Sequence, residues 1–198
     1  METKIRLLPL RAAKAIAFKE EMQEAFQHGF DFQSSLLTLG RADTSIALPS
    51  LNRSLESYYK GDNQWQVLPD KDFYLSLETE GAEAYEAIDE DCLRLGGAII
   101  AIDAAKHHGE LAFLYVKVGV QSKSIGQAIW KAIETLHPEV EVWETCTPYF
   151  DRRNIHFYIN RLGFHAVEFF NEYHPDPHMP EQFDQEDGLF RFEKRMAD

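Results

Sequence analysis

Leu114-Tyr115-Val116-Lys117-Val118-Gly119-Val120-Gln121-Ser122-Lys123-Ser124-Ile125-Gly126-Gln127-Ala128 is the stretch whose reading decides the fold. An apolar strand ends in it, a loop of small and polar residues follows, and an amphipathic helix begins. Ile125, Ala128, Ile129, Ala132, Ile133 and Leu136 make a one-sided helical stripe, and Pro138 ends it. The first turn of such a helix carries amides with no internal partner, and its dipole adds partial positive charge, so a phosphate is well held there. Small residues at 122, 124, 126 and 128 let a ligand approach the backbone. Gly126 costs about 1 kcal/mol relative to alanine inside a helix, so its presence asks for a reason. The plainer reading is a strand–loop–helix crossover whose glycine only eases packing. The nucleotide signatures G-x-x-x-x-G-K-[ST] and G-x-G-x-x-G are both absent.

Upstream, residues 4–9 read as a strand. Residues 11–28 read as a helix with Ala12, Ala15, Ile16, Met22 and Phe26 on its apolar side. Residues 29–50 are rich in turn formers, and 51–59 read as helical. Asp70 looks like the N-cap of a short helix running to Gly81. Residues 82–88 and 92–102 read as a hairpin closed by Asp89-Glu90-Asp91. Residues 109–118 are the most apolar strand and are expected at the centre. Downstream, the pattern gives a helix over 124–137, a strand over 140–144, a helix over 151–162, and strands over 164–170 and 188–194. Strands interleaved with helices predict an α/β (α+β) layer, and the hairpin makes the sheet mixed, with about six to seven strands. The helix at 124–137 supplies the crossover that a parallel pair needs.

The chain of 198 residues fits a single domain spanning 1–198. Its only cysteines, Cys92 and Cys146, form no C-x-x-C pair, which argues against a disulfide scaffold or thiolate zinc site and fits a reducing cytoplasm. The apolar runs at 98–102 and 111–116 suit buried strands and are too short to cross a bilayer. A formal net charge of −13 speaks against a nucleic-acid surface. It does not forbid an anionic ligand, because charges beyond a Debye length of about 8 Å are screened and a local positive nest decides binding.

A second motif follows: Asn154-Ile155-His156-Phe157-Tyr158-Ile159-Asn160-Arg161-Leu162-Gly163-Phe164. Helical spacing puts Asn154 and Tyr158 on one face, with Ile155, Ile159 and Leu162 as the buried stripe and Gly163 as the stop. With Gln121-x-x-Ser124-x-Gly126-x-Ala128 upstream, the pair resembles the two hallmarks of the GNAT N-acetyltransferase superfamily. These are a pyrophosphate loop written Q/R-x-x-G-x-G/A and a downstream N-x-x-x-x-F-Y-x-x-x-G-F, against which this chain has two residues rather than four between Asn154 and Phe157 and four rather than three between Tyr158 and Gly163. Ser124 stands where the first glycine is usual. The resemblance covers about residues 82–172 and leaves 173–187 as a loop between the last two strands.

The resemblance implies acetyl-CoA (coenzyme A) as cofactor. Gln121, Ser122, Lys123, Ser124, Ile125, Gly126, Gln127 and Ala128 would hold its phosphates, and Leu114, Tyr115 and Val116 its pantetheine arm and the oxyanion. Asn154 would orient the cofactor or a water. Tyr158 is the implied catalytic acid, protonating the departing thiolate; a phenol, with a pKa of about 10, is protonated at neutral pH. Glu110 stands where the histone-acetyltransferase branch keeps its base, and alternation puts it on one face with Ala112, Leu114 and Val116. An exposed strand-entry glutamate is the plainer reading of Glu110. Lys117 joins Lys123 as a phosphate partner, against a solvated lysine for each. The implied acceptor is a small-molecule or peptide amine, with no nucleic acid and no membrane, and members of the superfamily are often homodimers. A CoA-binding sensor without catalysis is the competing function.

His174-Pro175-Asp176-Pro177-His178 has ligand-type residues at alternate positions but no third and fourth ligand nearby, so it reads as a loop and no metal is expected. The acidic residues between Glu181 and Asp187 could attract a cationic amine or be a solvated loop. Trp143 and Phe150 read as core. Cys146 lacks the framing of a nucleophile, and Glu144 is a second carboxylate.

Overall fold

Strands β1 (Arg6–Pro9), β2 (Ala82–Ile88), β3 (Arg94–Asp103), β4 (His108–Val116), β5 (Val142–Pro148), β6 (His165–Phe170) and β7 (Leu189–Arg195) form one sheet. Their order is β1-β2-β3-β4-β5-β7-β6. The computed structural model describes residues 4–39, 67–120, 124–177 and 188–196. The mixed sheet is as anticipated, with β4 in the middle. Its single parallel pairing among the described strands joins β4 to β5, and helix α3 (Ile125–Leu136) makes that crossover. The other helices are α1 (Ala15–Leu39), α2 (Asp70–Glu78) and α4 (Arg152–Phe157), which continues into a π turn at Tyr158–Leu162. The expected helix at 51–59 lies outside the described residues.

Each face of the sheet buries its own cluster. On one side, Phe18 and Met22 of α1 and Phe73 of α2 pack with Ile99 and Tyr115. On the other, Ile125, Ile129, Trp130 and Ile133 of α3 meet Trp143, Tyr158, Leu162, Phe164 and Phe192. Gly109 belongs to the second face, because a Cβ there would lie 2.5 Å from the Trp143 ring. That glycine lets the indole lie flat across β4.

Several local expectations need correction. Helix α1 runs to Leu39, far beyond residue 28; no proline interrupts it, and Gln27 donates to Asp31 one turn on (3.0 Å). Its buried stripe is Phe18 and Met22, while Ile16 is 64% exposed. Asp70 is not an N-cap: Pro69 holds that position, and Asp70 accepts from Lys19 (2.6 Å) and Gln23 (2.8 Å). β3 starts at Arg94 because Cys92 sits at φ 63° in the turn, where the Asp89 side chain accepts from Leu93 N–H (2.8 Å). Leu136 and Ile159 are exposed, and Trp130 and Tyr158 take the buried places instead. For Ile159 the reason is the π turn, whose wider pitch puts Tyr158 and Leu162 on the core side.

Helix α1 is tied to the sheet by charge. Arg94 donates to Glu86, which is 1% exposed, and to Glu21 of α1 (3.1 Å). Lys14 reaches Glu86 (2.9 Å) and Lys117 reaches Glu21 (2.8 Å). Burial alone would raise the Glu86 carboxyl, but hydrogen bonds from Lys14 and Arg94 outweigh it and hold it below the usual range; Glu21 behaves likewise with Lys117 and Arg94. Stability from these lowered carboxyls is full above about pH 5 and is lost as pH falls through them. Arg94→Met should therefore lower unfolding free energy by about 3 kcal/mol near neutrality and flatten the acid limb, read from urea midpoints against pH.

Candidate active site

The parallel ladder of β4 and β5 consists of His108↔Val142, Gly109↔Trp143 and Glu110↔Glu144, and no register pair follows. Two features sit at the point of parting. β4 is bulged, since Ile100 faces Leu111 and Ile99 faces Phe113, leaving Ala112 without a partner on β3. Thr145 of β5 donates its hydroxyl to the Leu111 carbonyl (2.8 Å), so a side chain closes the ladder where a backbone amide would otherwise continue it. Beyond it the strands diverge around a cavity of about 450 Å³.

The bulge fixes what β4 presents to that cavity. Lys117 N–H donates to Leu95 O (2.9 Å), which puts 117, 115 and 113 in the hydrogen-bonded phase with β3. Alternation turns the amides and carbonyls of Leu114 and Val116 to the β5 side, where no strand meets them. The bulge also overturns the expectation that Glu110 shares a face with Leu114 and Val116. Leu111, Leu114 and Val116 pack with the α3 cluster, and Ala112, Phe113 and Tyr115 with the α1 cluster. Glu110, one residue before Leu111, therefore lies on the α1 side.

Of the anticipated residues, Leu114, Tyr115, Val116, Gly126, Asn154 and Tyr158 line the cavity together. Gln121, Ser122 and Lys123 lie outside the described residues. Ser124 is the N-cap of α3 without capping the helix through its side chain, and its carbonyl takes the Ala128 amide (2.9 Å). The amides of Ile125, Gly126 and Gln127 thus precede the first intrahelical bond. The Ile125 side chain points into the core, and Gln127 donates to Arg161 O (3.0 Å). Gly126 has a packing reason: a Cβ would stand 2.9 Å from the Phe157 ring. Lys117 is paired with Glu21, which removes it from the phosphate partners.

Tyr158 is 8% exposed and ringed by Phe157, Phe164 and Phe192. Burial pushes its phenol up to about 12, partly offset by a hydrogen bond with Thr145. The hydroxyl therefore stands at the point of parting, beside the group that ends the ladder. Asn154 donates its side-chain amide to Asp151 (2.7 Å), the N-cap of α4, which also accepts the Asn154 backbone amide (3.0 Å). Burial raises the Asp151 carboxyl. Glu110 does not line the cavity; burial and then the neighbouring Glu144 carboxylate raise it above its ordinary value. Glu144 itself is held by Arg191 (2.8 Å). The Cys146 thiol is pushed up to about 12 by burial and nearby carboxylates, so it stays a thiol. Cys92 and Cys146 are both free. His174 pairs with Glu168 (2.8 Å), and no metal-ligand cluster occurs among the described residues. His178 and the acidic residues 181–187 fall outside them.

The sequence reading missed most of the cavity's basic and aromatic side chains. Arg153, His156 and Arg161 line it, as do Phe26, Phe30 and Phe150. Helical spacing held part of the signal: Arg161, three residues after Tyr158 and seven after Asn154, falls on their face, whereas Arg153, next to Asn154, does not. Phe150 is half-buried in the cavity wall rather than core.

Comparison with known proteins bears on the family and the fold. The acetyltransferase (GNAT) family model matches residues 48–164. The uncharacterized Bacillus subtilis (strain 168) protein YrkN is 37% identical over 164 residues, covering 75% of this chain and 88% of that one. Among solved structures, the PaiA N-acetyltransferase of Thermoplasma acidophilum in complex with coenzyme A aligns with a TM-score of 0.57 at 14% identity, over 98% of this chain and 99% of that one. The Vibrio cholerae spermidine N-acetyltransferase in complex with CoA and spermine aligns with a TM-score of 0.57 at 9% identity, over 96% and 95%. The chain belongs to the GNAT acetyltransferase family.

If Gly126 exists for Phe157, Gly126→Val should cost about 2 kcal/mol, and most of that should vanish in a Phe157→Ala background. A double-mutant cycle on urea midpoints measures the coupling; additivity would leave the glycine without its packing reason.

Proposed function

We propose that the protein is an N-acetyltransferase that moves an acetyl group from acetyl-CoA to a primary amine by direct attack in a ternary complex. The observation that carries this is the unladdered edge of β4 at Leu114 and Val116, with the Tyr158 hydroxyl beside it. The residues suit the coenzyme. An extended pantetheine arm can hydrogen-bond to that edge as an added strand. The amides that open α3, with Arg153 and Arg161, suit its phosphates. Those cations answer the net charge of −13, because they lie on the cavity wall while the carboxylates of the sheet are held by Arg94 and Arg191.

Acetyl-CoA supplies an activated acyl group: the amine nitrogen bonds to the carbonyl carbon, the carbon–sulfur bond breaks, and the products are the N-acetyl amine and free thiol. The chain's part is hydrogen bonding and proton handling. An amide on the free edge of β4 donates to the carbonyl oxygen as its charge grows. Tyr158 keeps its proton and donates it towards the sulfur. A phenol at about 12 is a weaker acid than a thiol at about 8.5, so full transfer to a free thiolate would lie about 5 kcal/mol uphill. Its contribution is therefore a hydrogen bond to the developing charge, with net proton delivery completed from solvent. The amine must arrive neutral or lose its proton, and Glu110, whose carboxyl is raised above its ordinary value, is the acceptor reached through water.

Tyr158→Phe should lower kcat more than tenfold while leaving the calorimetric Kd for CoA within about threefold; unaltered turnover would remove Tyr158 from the mechanism. Glu110 accepts a proton only when ionised, so kcat/KM should fall as pH drops through its raised value. Glu110→Gln should abolish that acidic limb, and a limb that persists would assign it elsewhere.

A further inference from the structure

Asp151 does more at the start of α4 than cap it. Its Oδ1 accepts the Asn154 backbone amide (3.0 Å), the usual work of an N-cap. Its Oδ2 accepts the Asn154 side-chain amide (2.7 Å). The residue is itself pinned in the turn between β5 and α4. Its N–H donates to Pro148 O at the end of β5 (3.0 Å), and its carbonyl accepts from Ile155 N–H (3.0 Å).

Capping alone does not call for a carboxylate. Asparagine caps a helix about as well as aspartate and brings no charge. Burial works against the charged form of Asp151 and raises its carboxyl, so a neutral cap would cost less in this wall. What asparagine lacks is a second acceptor: a carboxylate accepts at both oxygens, whereas a carboxamide has one accepting end and one donating end.

That second oxygen decides which way round the Asn154 carboxamide lies. Its nitrogen is held on Asp151, so its oxygen is the end turned away. Asn154 lines the same cavity as Leu114 and Val116, whose free edge suits an extended arm, and as Tyr158 at the parting of the strands. The pantetheine arm of coenzyme A carries amide N–H groups, which need acceptors once they leave water.

We infer that Asp151 is a positioning residue for the coenzyme: it holds the Asn154 amide nitrogen, and so makes the Asn154 oxygen the acceptor for an amide N–H of the pantetheine arm. This rests on the acetyltransferase reading and assigns one contact of the same site. Asn154 touches the arm, and Asp151 acts through it.

Asp151→Asn separates this role from the cap, because the cap survives while the second acceptor becomes an NH2 group. Two NH2 groups cannot face each other, so the Asn154 carboxamide turns over and the arm meets a donor where it had met an acceptor. The calorimetric Kd for CoA should rise about tenfold, the effect of one lost hydrogen bond. Adenosine 3′,5′-bisphosphate, the end of the coenzyme without the arm, should bind within about twofold of its affinity for the unaltered protein, which also reports that the variant is folded. Exchanging the two side chains (D151N with N154D) leaves the net charge as it was. The asparagine then donates to the carboxylate, whose other oxygen is turned to the arm, and CoA affinity should return to within about threefold of the original. Asp151→Asn binding CoA unchanged, losing the bisphosphate along with CoA, or gaining nothing from the exchange overturns the inference and leaves the coenzyme site standing. Failure of the unaltered protein to bind CoA overturns both.

Discussion

Everything distinctive in this molecule depends on two parallel strands that stay together for three register pairs and then part. A parallel pair normally continues as far as both strands last, because each lost pair leaves amides and carbonyls without partners. Here the bulge at Ala112 re-aims β4, the Thr145 hydroxyl satisfies the last carbonyl, and Tyr158 with its aromatic neighbours fills the space on the α3 side. The separation costs the paired state of Leu114 and Val116 and makes a cavity with backbone donors on its floor. A passage between strands also explains why α1 and α4, packed on opposite faces of the sheet, line the same cavity.

Charge is organised around that opening. The carboxylate excess is real, yet the carboxylates near the sheet are collected in groups on Arg94 and Arg191, leaving Arg153 and Arg161 on the cavity wall. Bulk net charge therefore says little about what the cavity binds, since field strength is set by the nearest groups and distant ones are screened. Burial keeps Tyr158 protonated, and at the exposed end of β4 partial desolvation beside Glu144 raises the Glu110 carboxyl above its ordinary value.

Much of this was legible in the sequence. Strand and helix periods, Pro138 and Gly163 gave the element order and the parallel crossover, because those signals are local. The motif residues that converge on the cavity, Leu114 to Val116 with Gly126, Asn154 and Tyr158, were legible for the same reason. What escaped were shifts of phase. One extra residue at Ala112 moves Glu110 to the opposite face from Leu114, and the wide turn at Tyr158–Leu162 exposes Ile159, although neither changes composition. Lys117 looked like a phosphate ligand because its partner, Glu21, lies 96 positions away. The aromatic wall escaped because α1 continues beyond residue 28 into a stretch whose composition is rich in turn formers.

Residue-resolved amide hydrogen exchange, with and without saturating CoA, tests the central claim most directly. In the free protein Leu114 and Val116 should exchange much faster than Phe113 and Tyr115, whose amides bond to β3, and CoA should slow the first pair by about tenfold or more. Equal protection of all four amides in the free protein, or bound CoA that leaves Leu114 and Val116 unchanged, would contradict an open β4 edge as the coenzyme's seat.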